Sequence, residues 1–197
     1  SNFDAVVFPG GYAYGYKMGL SGYESKVLNF VSSGGGYLGI CAGSYYAADA
    51  IFWVDKWYTY PLNLFGGYDI GPIPSIAGFD GDNNLTYALT PISISDPVIG
   101  YLGTQQQLYY GGGWKWPYGG QTTVATYNAH YGNPDAIRFT YGAGHVLLVG
   151  THPEALAGSN EDWLYWDNYE YNSNTPLSNP DNPWDFVDAV FDNWLIE

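Results

Sequence analysis

Basic residues are scarce: 5 lysines and arginines stand against 19 aspartates and glutamates, for a formal net charge of -14 at pH 7. Nucleic acid and anionic membrane surfaces are held by lysine and arginine patches, and so few cations do not supply one. Neither is expected as a partner, and solubility is reason enough for the acidity. Cysteine is nearly missing as well. The single one, Cys41, excludes an internal disulfide and leaves the redox compartment open. With three scattered histidines it offers no metal-ligand spacing, so neither a metal nor a cofactor is expected. No apolar run approaches the length needed to cross a bilayer, which argues against membrane insertion.

What is abundant is uncharged. Charged residues make up 12% of the chain, against 21 tyrosines, 27 glycines and 8 tryptophans, so polar and aromatic groups must cover much of the surface. Such a surface suits an extracellular or cell-surface setting, with the cytoplasm as the alternative, and the sequon Asn84-Leu85-Thr86 points the same way. A length of 197 residues fits one domain with a sizeable core and is too short for two ordinary ones.

The chain is organised around residues 36 to 45, Gly-Tyr-Leu-Gly-Ile-Cys-Ala-Gly-Ser-Tyr. The apolar run Tyr37 to Ile40 reads as a buried strand, and Tyr45 to Ala50 is compatible with a helix. In Gly39-x-Cys41-x-Gly43 the flanking glycines let strand turn abruptly into helix, leaving the central residue on a strained turn. That is a nucleophile elbow with sulfur in place of hydroxyl, at a helix N-terminus that favours thiolate. The competing reading is a buried cysteine acting as a small hydrophobe.

Around the elbow, Phe3 to Phe8 reads as a buried strand entering the glycine loop Pro9-Gly10-Gly11. Glu24 to Ser32 has the apolar spacing of a helix, stopped by Gly34-Gly35-Gly36. Strand, helix, strand, helix implies a parallel sheet with right-handed crossovers. The aromatic stretch Ile51 to Pro61 is expected to pack against a helix, a carbohydrate platform being the rarer alternative. Short, partly antiparallel strands are expected beyond it, with a polar hairpin-like loop over Asp80 to Asn84. Gln105 to Tyr110 is a strand delivering the glycine loop Gly111-Gly112-Gly113. Thr122 to Tyr127 and Ala136 to Tyr141 alternate like paired strands, and Gly142 to His145 reads as a turn. The next strand, His145 to Gly150, reads as continuously apolar and so buried on both faces, ending in Thr151-His152-Pro153-Glu154. Trp163 to Asn182 reads as an irregular loop, and Pro183 to Leu195 as a final amphipathic helix.

Ligands of open α/β sheets gather at the carboxyl ends of strands. Here those ends supply a thiol at Cys41, an imidazole at His152 and a carboxylate at Glu154: a nucleophile, its base and the group that orients the base.

Gly-Ile-Cys-Ala-Gly-Ser at 39 to 44 with Thr-His-Pro-Glu at 151 to 154 resembles the class I glutamine amidotransferase-like superfamily. Within it, the sequence is most similar to the amidotransferase-like N-terminal domain of biotin-protein ligases, nearly end to end. The matching stretches include Phe8-Pro9-Gly10-Gly11, Pro61 to Phe65, Tyr109 to Gly113 and Gly144 to Glu154. The resemblance implies an α/β fold: a flavodoxin-like three-layer sandwich with a mostly parallel central sheet and some antiparallel strands. It also implies Cys41 as nucleophile, His152 as general base and acid and Glu154 as orienter, with oxyanion donors at the Gly11 and Ala42 N–H groups. Gly10 and Gly112, in the two glycine loops, complete the oxyanion and substrate-binding set. The chain departs from the pattern where Ser44-Tyr45-Tyr46 replace the Gly-His-Gln-like residues that help hold glutamine, which argues against glutamine as substrate. Relatives also carry an upstream strand and helix, so the expected single domain, residues 1 to 197, is expected to be completed by an upstream segment of the same precursor.

The expected activity is that of a cysteine-dependent amidase or hydrolase acting through a thioester on a small amide or peptide. The rival class is a non-catalytic binding or assembly module, including assembly with copies of itself. A third is a glutaminase subunit feeding ammonia to a synthase.

Overall fold

The computed structural model of the protein describes residues 3–155 and 181–196. Its larger sheet runs in the order β1 (Ala5–Phe8), β2 (Gly36–Ile40), β11 (Gly144–Val149), β10 (Pro134–Tyr141), β9 (Thr122–Tyr127), β6 (Ala88–Ile94), β7 (Thr104–Tyr109). β1, β2 and β11 pair in parallel, and every pairing beyond β11 is antiparallel. The expected parallel arrangement is thus found in the three strands whose ends carry the site. The antiparallel share is larger than the sequence pattern suggested, because hairpin connections carry the chain from β6 to β7 and from β9 through β11.

β2 and β11 are buried along both faces, as continuous apolar runs in parallel sheets are. Tyr37, Val146 and Leu148 point into a cluster with Ala13 of α1 (Ala13–Gly19), Val31 of α2 (Glu24–Ser32) and Tyr45 of α3 (Ala42–Ala47). The alternate residues Leu38, Ile40, Leu147 and Val149 meet Phe186 and Val190 of α4 (Trp184–Val190), which runs on into a π-helical turn over Phe191–Leu195. Helices on both faces give the three-layer α/β sandwich. Among the described residues no helix is long and apolar enough to cross a membrane.

The aromatic stretch after the elbow packs under a helix only in part: Trp53 and Tyr60 meet Tyr45 and Tyr46 of α3 edge-on at 5.6 and 6.1 Å, while Trp57 and Tyr58 are exposed. The expected helix beginning at Tyr45 starts three residues earlier and ends at Ala47. Ala48 onward is strand because β3 (Ala48–Trp53) is paired on both sides, with β4 (Lys56–Thr59) and β5 (Phe65–Gly71), and β8 (Trp114–Pro117) completes a second sheet. Registers Phe52↔Trp57, Ala50↔Tyr68 and Tyr68↔Trp116 put these aromatic rings on one face, and it is turned outward, with Trp57 and Trp116 more than half exposed. The other face carries Ile51, Asp69 and Lys115 into the interior.

The turn expected over Gly142 to His145 is narrower, since Tyr141 pairs with Gly144 and His145 lies within β11, its ring stacked on Trp194. The hairpin-like loop after Asp80 is present: Phe79 bridges Leu85, and Asp80 Oδ1 accepts the N–H groups of Asp82 and Asn84 at 2.9 and 2.8 Å. Of the loop expected over Trp163 to Asn182, residues 163–180 lie outside the described residues.

Candidate active site

Three parallel strands end side by side, Phe8 opposite Gly39 and Ile40 opposite Val149. Cys41 follows β2 with φ 47 and ψ -101, in a region that a non-glycine residue occupies at a cost of about 1–3 kcal/mol unless its surroundings enforce it. They do. The Cys41 N–H is held by the Val149 carbonyl at 2.8 Å, and the Cys41 carbonyl starts α3 by accepting from Tyr45 N–H at 3.0 Å. Both flanking glycines are required by close approach: a Cβ on Gly39 would lie 2.9 Å from the Gly43 carbonyl, and one on Gly43 would overlap the Phe8 carbonyl. The elbow inferred from Gly-x-Cys-x-Gly is therefore a real backbone turn. The thiol is 5% exposed, packs in the cluster with Leu38 and Tyr109, and lies 3.7 Å from the Tyr110 carbonyl.

His152 comes three residues after β11, held by its N–H to the Leu108 carbonyl at 2.8 Å. Its Nδ1 lies 2.8 Å from Glu154 Oε1, so the two-residue spacing does bring imidazole and carboxylate together around Pro153. The ring is 5% exposed, and Nε2 and Glu154 Oε2 are buried without hydrogen-bond partners. Burial alone lowers the pKa of such a ring. Interactions with Glu154 and Cys41 outweigh it and raise His152 well above the ordinary histidine value.

Gly10 abuts this ring, since a Cβ there would overlap His152 Cε1. Gly11 has φ +132 with open space beside it, and Ala42 is the first residue of α3. Gly112 is set against the Gly150 carbonyl, a contact that accounts for its glycine by itself. Two of the three hydroxyls that follow the elbow are engaged internally, Ser44 donating to Asp69 Oδ2 at 2.6 Å and Tyr45 to the Gly111 carbonyl at 2.9 Å, while the buried Tyr46 hydroxyl has no partner among the described residues.

Sequence reasoning passed over Tyr16 and a buried ionic cluster. Tyr16 of α1 donates to the Pro9 carbonyl at 2.7 Å, and its pKa is raised by burial and then by the charges of Cys41 and Glu154. Nothing in the sequence marks it among 21 tyrosines. Lys115, fully buried, pairs with Asp69 at 3.3 Å, and Asp135, also fully buried, accepts the N–H groups of Gly150 and Thr151 at 3.1 and 2.9 Å. A signal for Lys115 did exist: in Trp114-Lys115-Trp116 strand alternation turns the lysine inward if the tryptophans face out. Among the described residues, no group of three or more His, Cys, Asp or Glu side chains is placed to hold a metal ion.

A thiol on a strained elbow between strand and helix, at the C-terminal edge of a parallel sheet, is the arrangement of the class I glutamine amidotransferase-like fold. Solved structures agree on the fold. A glutamine amidotransferase superposes with TM-score 0.56 at 18% identity, over 83% of this chain and 76% of that one. A glutamine amidotransferase from Thermotoga maritima gives TM-score 0.53 at 18% identity, over 84% and 63%. The profile of the family described as "Biotin-protein ligase, N terminal" matches residues 1–178, and the chain belongs to that family. The biotin-protein ligase of Schizosaccharomyces pombe is 28% identical in an alignment 169 residues long that covers 77% of this chain and 26% of the relative. The chain thus spans about a quarter of the length of the curated relative it matches.

Proposed function

We propose that the protein is a cysteine-dependent amidase or hydrolase acting through a thioester on a small amide or the end of a peptide. The observation that carries this reading is the engagement of His152 Nδ1 by Glu154 at 2.8 Å, with Glu154 and Cys41 both raising the pKa of the ring against its burial. Nε2 is then the nitrogen left to move protons. Cys41 Sγ attacks the amide carbonyl carbon, and the carbonyl electrons move onto oxygen, which the Gly11 and Ala42 N–H groups stabilise. Gly10 and Gly112 border the substrate. Collapse breaks the C–N bond, and the departing amine takes the proton of His152. Water then gives a proton back to His152 as it adds to the thioester, releasing the acid and regenerating Cys41. Backbone donors of this kind are each worth about 2.7–4 kcal/mol to the transition state.

The engagement of Ser44 and Tyr45 by internal partners takes two of the three hydroxyls at the start of α3 away from a substrate and favours a substrate other than glutamine. Low exposure of both Cys41 and His152 limits the reacting group to a small one. The experiment is to incubate the protein with a library of small amides and N-acyl peptides and to look by intact mass for an acyl adduct. The expected result is an adduct on wild type that is missing from Cys41→Ala and from His152→Gln, where the departing amine lacks its proton donor. No adduct on wild type across the library contradicts the reading.

A second reading is favoured by a different observation, the outward aromatic face of the second sheet, where Trp57, Tyr68 and Tyr118 form a continuous run of edge contacts at 4.9 and 5.1 Å. It makes the protein a binding or assembly module, its buried cysteine a packing residue, with copies of the chain associating through this face. Sedimentation equilibrium decides it: a dimer dissociated by Trp57→Ser/Trp116→Ser supports assembly, and a monomer at all concentrations rules it out.

A further inference from the structure

Lys115 and Asp69 are cross-strand partners on β8 and β5, both fully removed from solvent. A buried ion pair of this sort contributes little net stability, so its presence calls for another reason. Its contacts supply one. Asp69 reaches up to α3, accepting the Ser44 hydroxyl at 2.6 Å three residues beyond Cys41. Lys115 donates to the Gly113 carbonyl at 2.9 Å, and its Nζ lies 3.1 Å from where Gly150 would carry a Cβ. Gly150 and Thr151, the residues immediately before His152, are in turn held through their N–H groups by Asp135 Oδ1, while Asp135 Oδ2 lies 3.0 Å from the Thr151 hydroxyl. Asp135 feels Lys115 as the charge that opposes its burial.

The geometry points to the Asp69–Lys115–Asp135 cluster as the positioning unit of the site, one that ties the Cys41 elbow, through Ser44, to the strand end bearing His152, through Gly150 and Thr151. None of its members touches the reacting atoms. The cluster fixes the distance between two elements that approach the site from different parts of the chain, and glycine at 113 and 150 lets the backbone close around the ammonium. A Cβ on Gly113 would overlap Asp69 Oδ1. This inference rests on the assignment of Cys41 and His152 to one site, so the readout is chosen to be independent of turnover.

That readout is the titration of His152 by NMR, with His130 and His145 as internal references. Ser44→Ala cuts the tie to the elbow, and Thr151→Val removes a hydroxyl shared between Asp135 Oδ2 at 3.0 Å and Gln107 Oε1 at 2.6 Å, neither unpairing a charge. If the ties hold His152 against Cys41 and Glu154, cutting either lets the raising interactions weaken while burial persists. The His152 midpoint then falls by about one unit, a tenfold change in proton affinity, while His130 and His145 stay in place. Thr151→Ser, which keeps the hydroxyl, retains the wild-type midpoint whatever it does to stability. Asp69→Asn/Lys115→Met removes both charges together and gives the same fall. Wild-type midpoints in Ser44→Ala and Thr151→Val overturn the positioning role, even if Cys41 forms acyl adducts. Shifted midpoints in a protein whose Cys41 forms none support the positioning role and remove the catalytic reading instead.

Discussion

At Gly43 a side chain is missing because β1 occupies its place: any Cβ would overlap the Phe8 carbonyl. Gly43→Ala is therefore expected to force β1 and α3 apart and to destabilise the fold by about 1–3 kcal/mol, read as a lower urea midpoint. An alanine that left the midpoint unchanged would show that the two elements are not in contact. His152 makes a prediction of a different kind. Burial pulls its pKa down, but Glu154 and Cys41 raise it well above the value in an unfolded chain. A raised folded-state pKa adds stability that is full below the unfolded value, about 6.5, and declines as pH rises through the folded value. The stability difference between wild type and His152→Gln should accordingly be constant at acid pH and shrink from neutrality upward. A difference that grows with pH would mean the ring is neutral in the folded state.

Among the elements, β11 bears the most, since it joins the parallel and antiparallel parts of the sheet and is buried on both faces. Leu148→Ala opens a cavity between β11 and the cluster around Tyr37 and Tyr45, and should cost about 2–5 kcal/mol in denaturant unfolding. Elements of this type were legible in the sequence. The continuous apolar runs ending at Ile40 and Val149 announced strands buried on two faces, and the spacing of Val27, Leu28 and Val31 announced α2. What local pattern did not disclose was β3, where Ala48 to Ala50 have no strong preference and pairing with β4 and β5 decides. The same holds at the site. Cys41, His152 and Glu154 could be found because each follows a recognisable strand end or sits two residues from its partner. The contacts of Asp69, Lys115 and Asp135 span up to 46 residues of sequence and arise only when separate strands are brought together.

Taken as a whole, the molecule is an amidotransferase-like sandwich with a second, four-stranded sheet whose outer face is aromatic. The family contains a ligase four times longer than the segment matched here, so the chemistry of this chain has to be established on its own residues. On the proposed function, its central element is a sulfur on an enforced turn served by His152, whose pKa burial lowers but Glu154 and Cys41 raise. The most direct measurement is the rate of Cys41 alkylation by iodoacetamide at neutral pH, compared with free cysteine and with His152→Gln under the same conditions. The account predicts that Cys41 reacts faster than free cysteine and that His152→Gln removes the advantage. A wild-type Cys41 that alkylates no faster than free cysteine, or one whose rate is indifferent to the loss of His152, contradicts it.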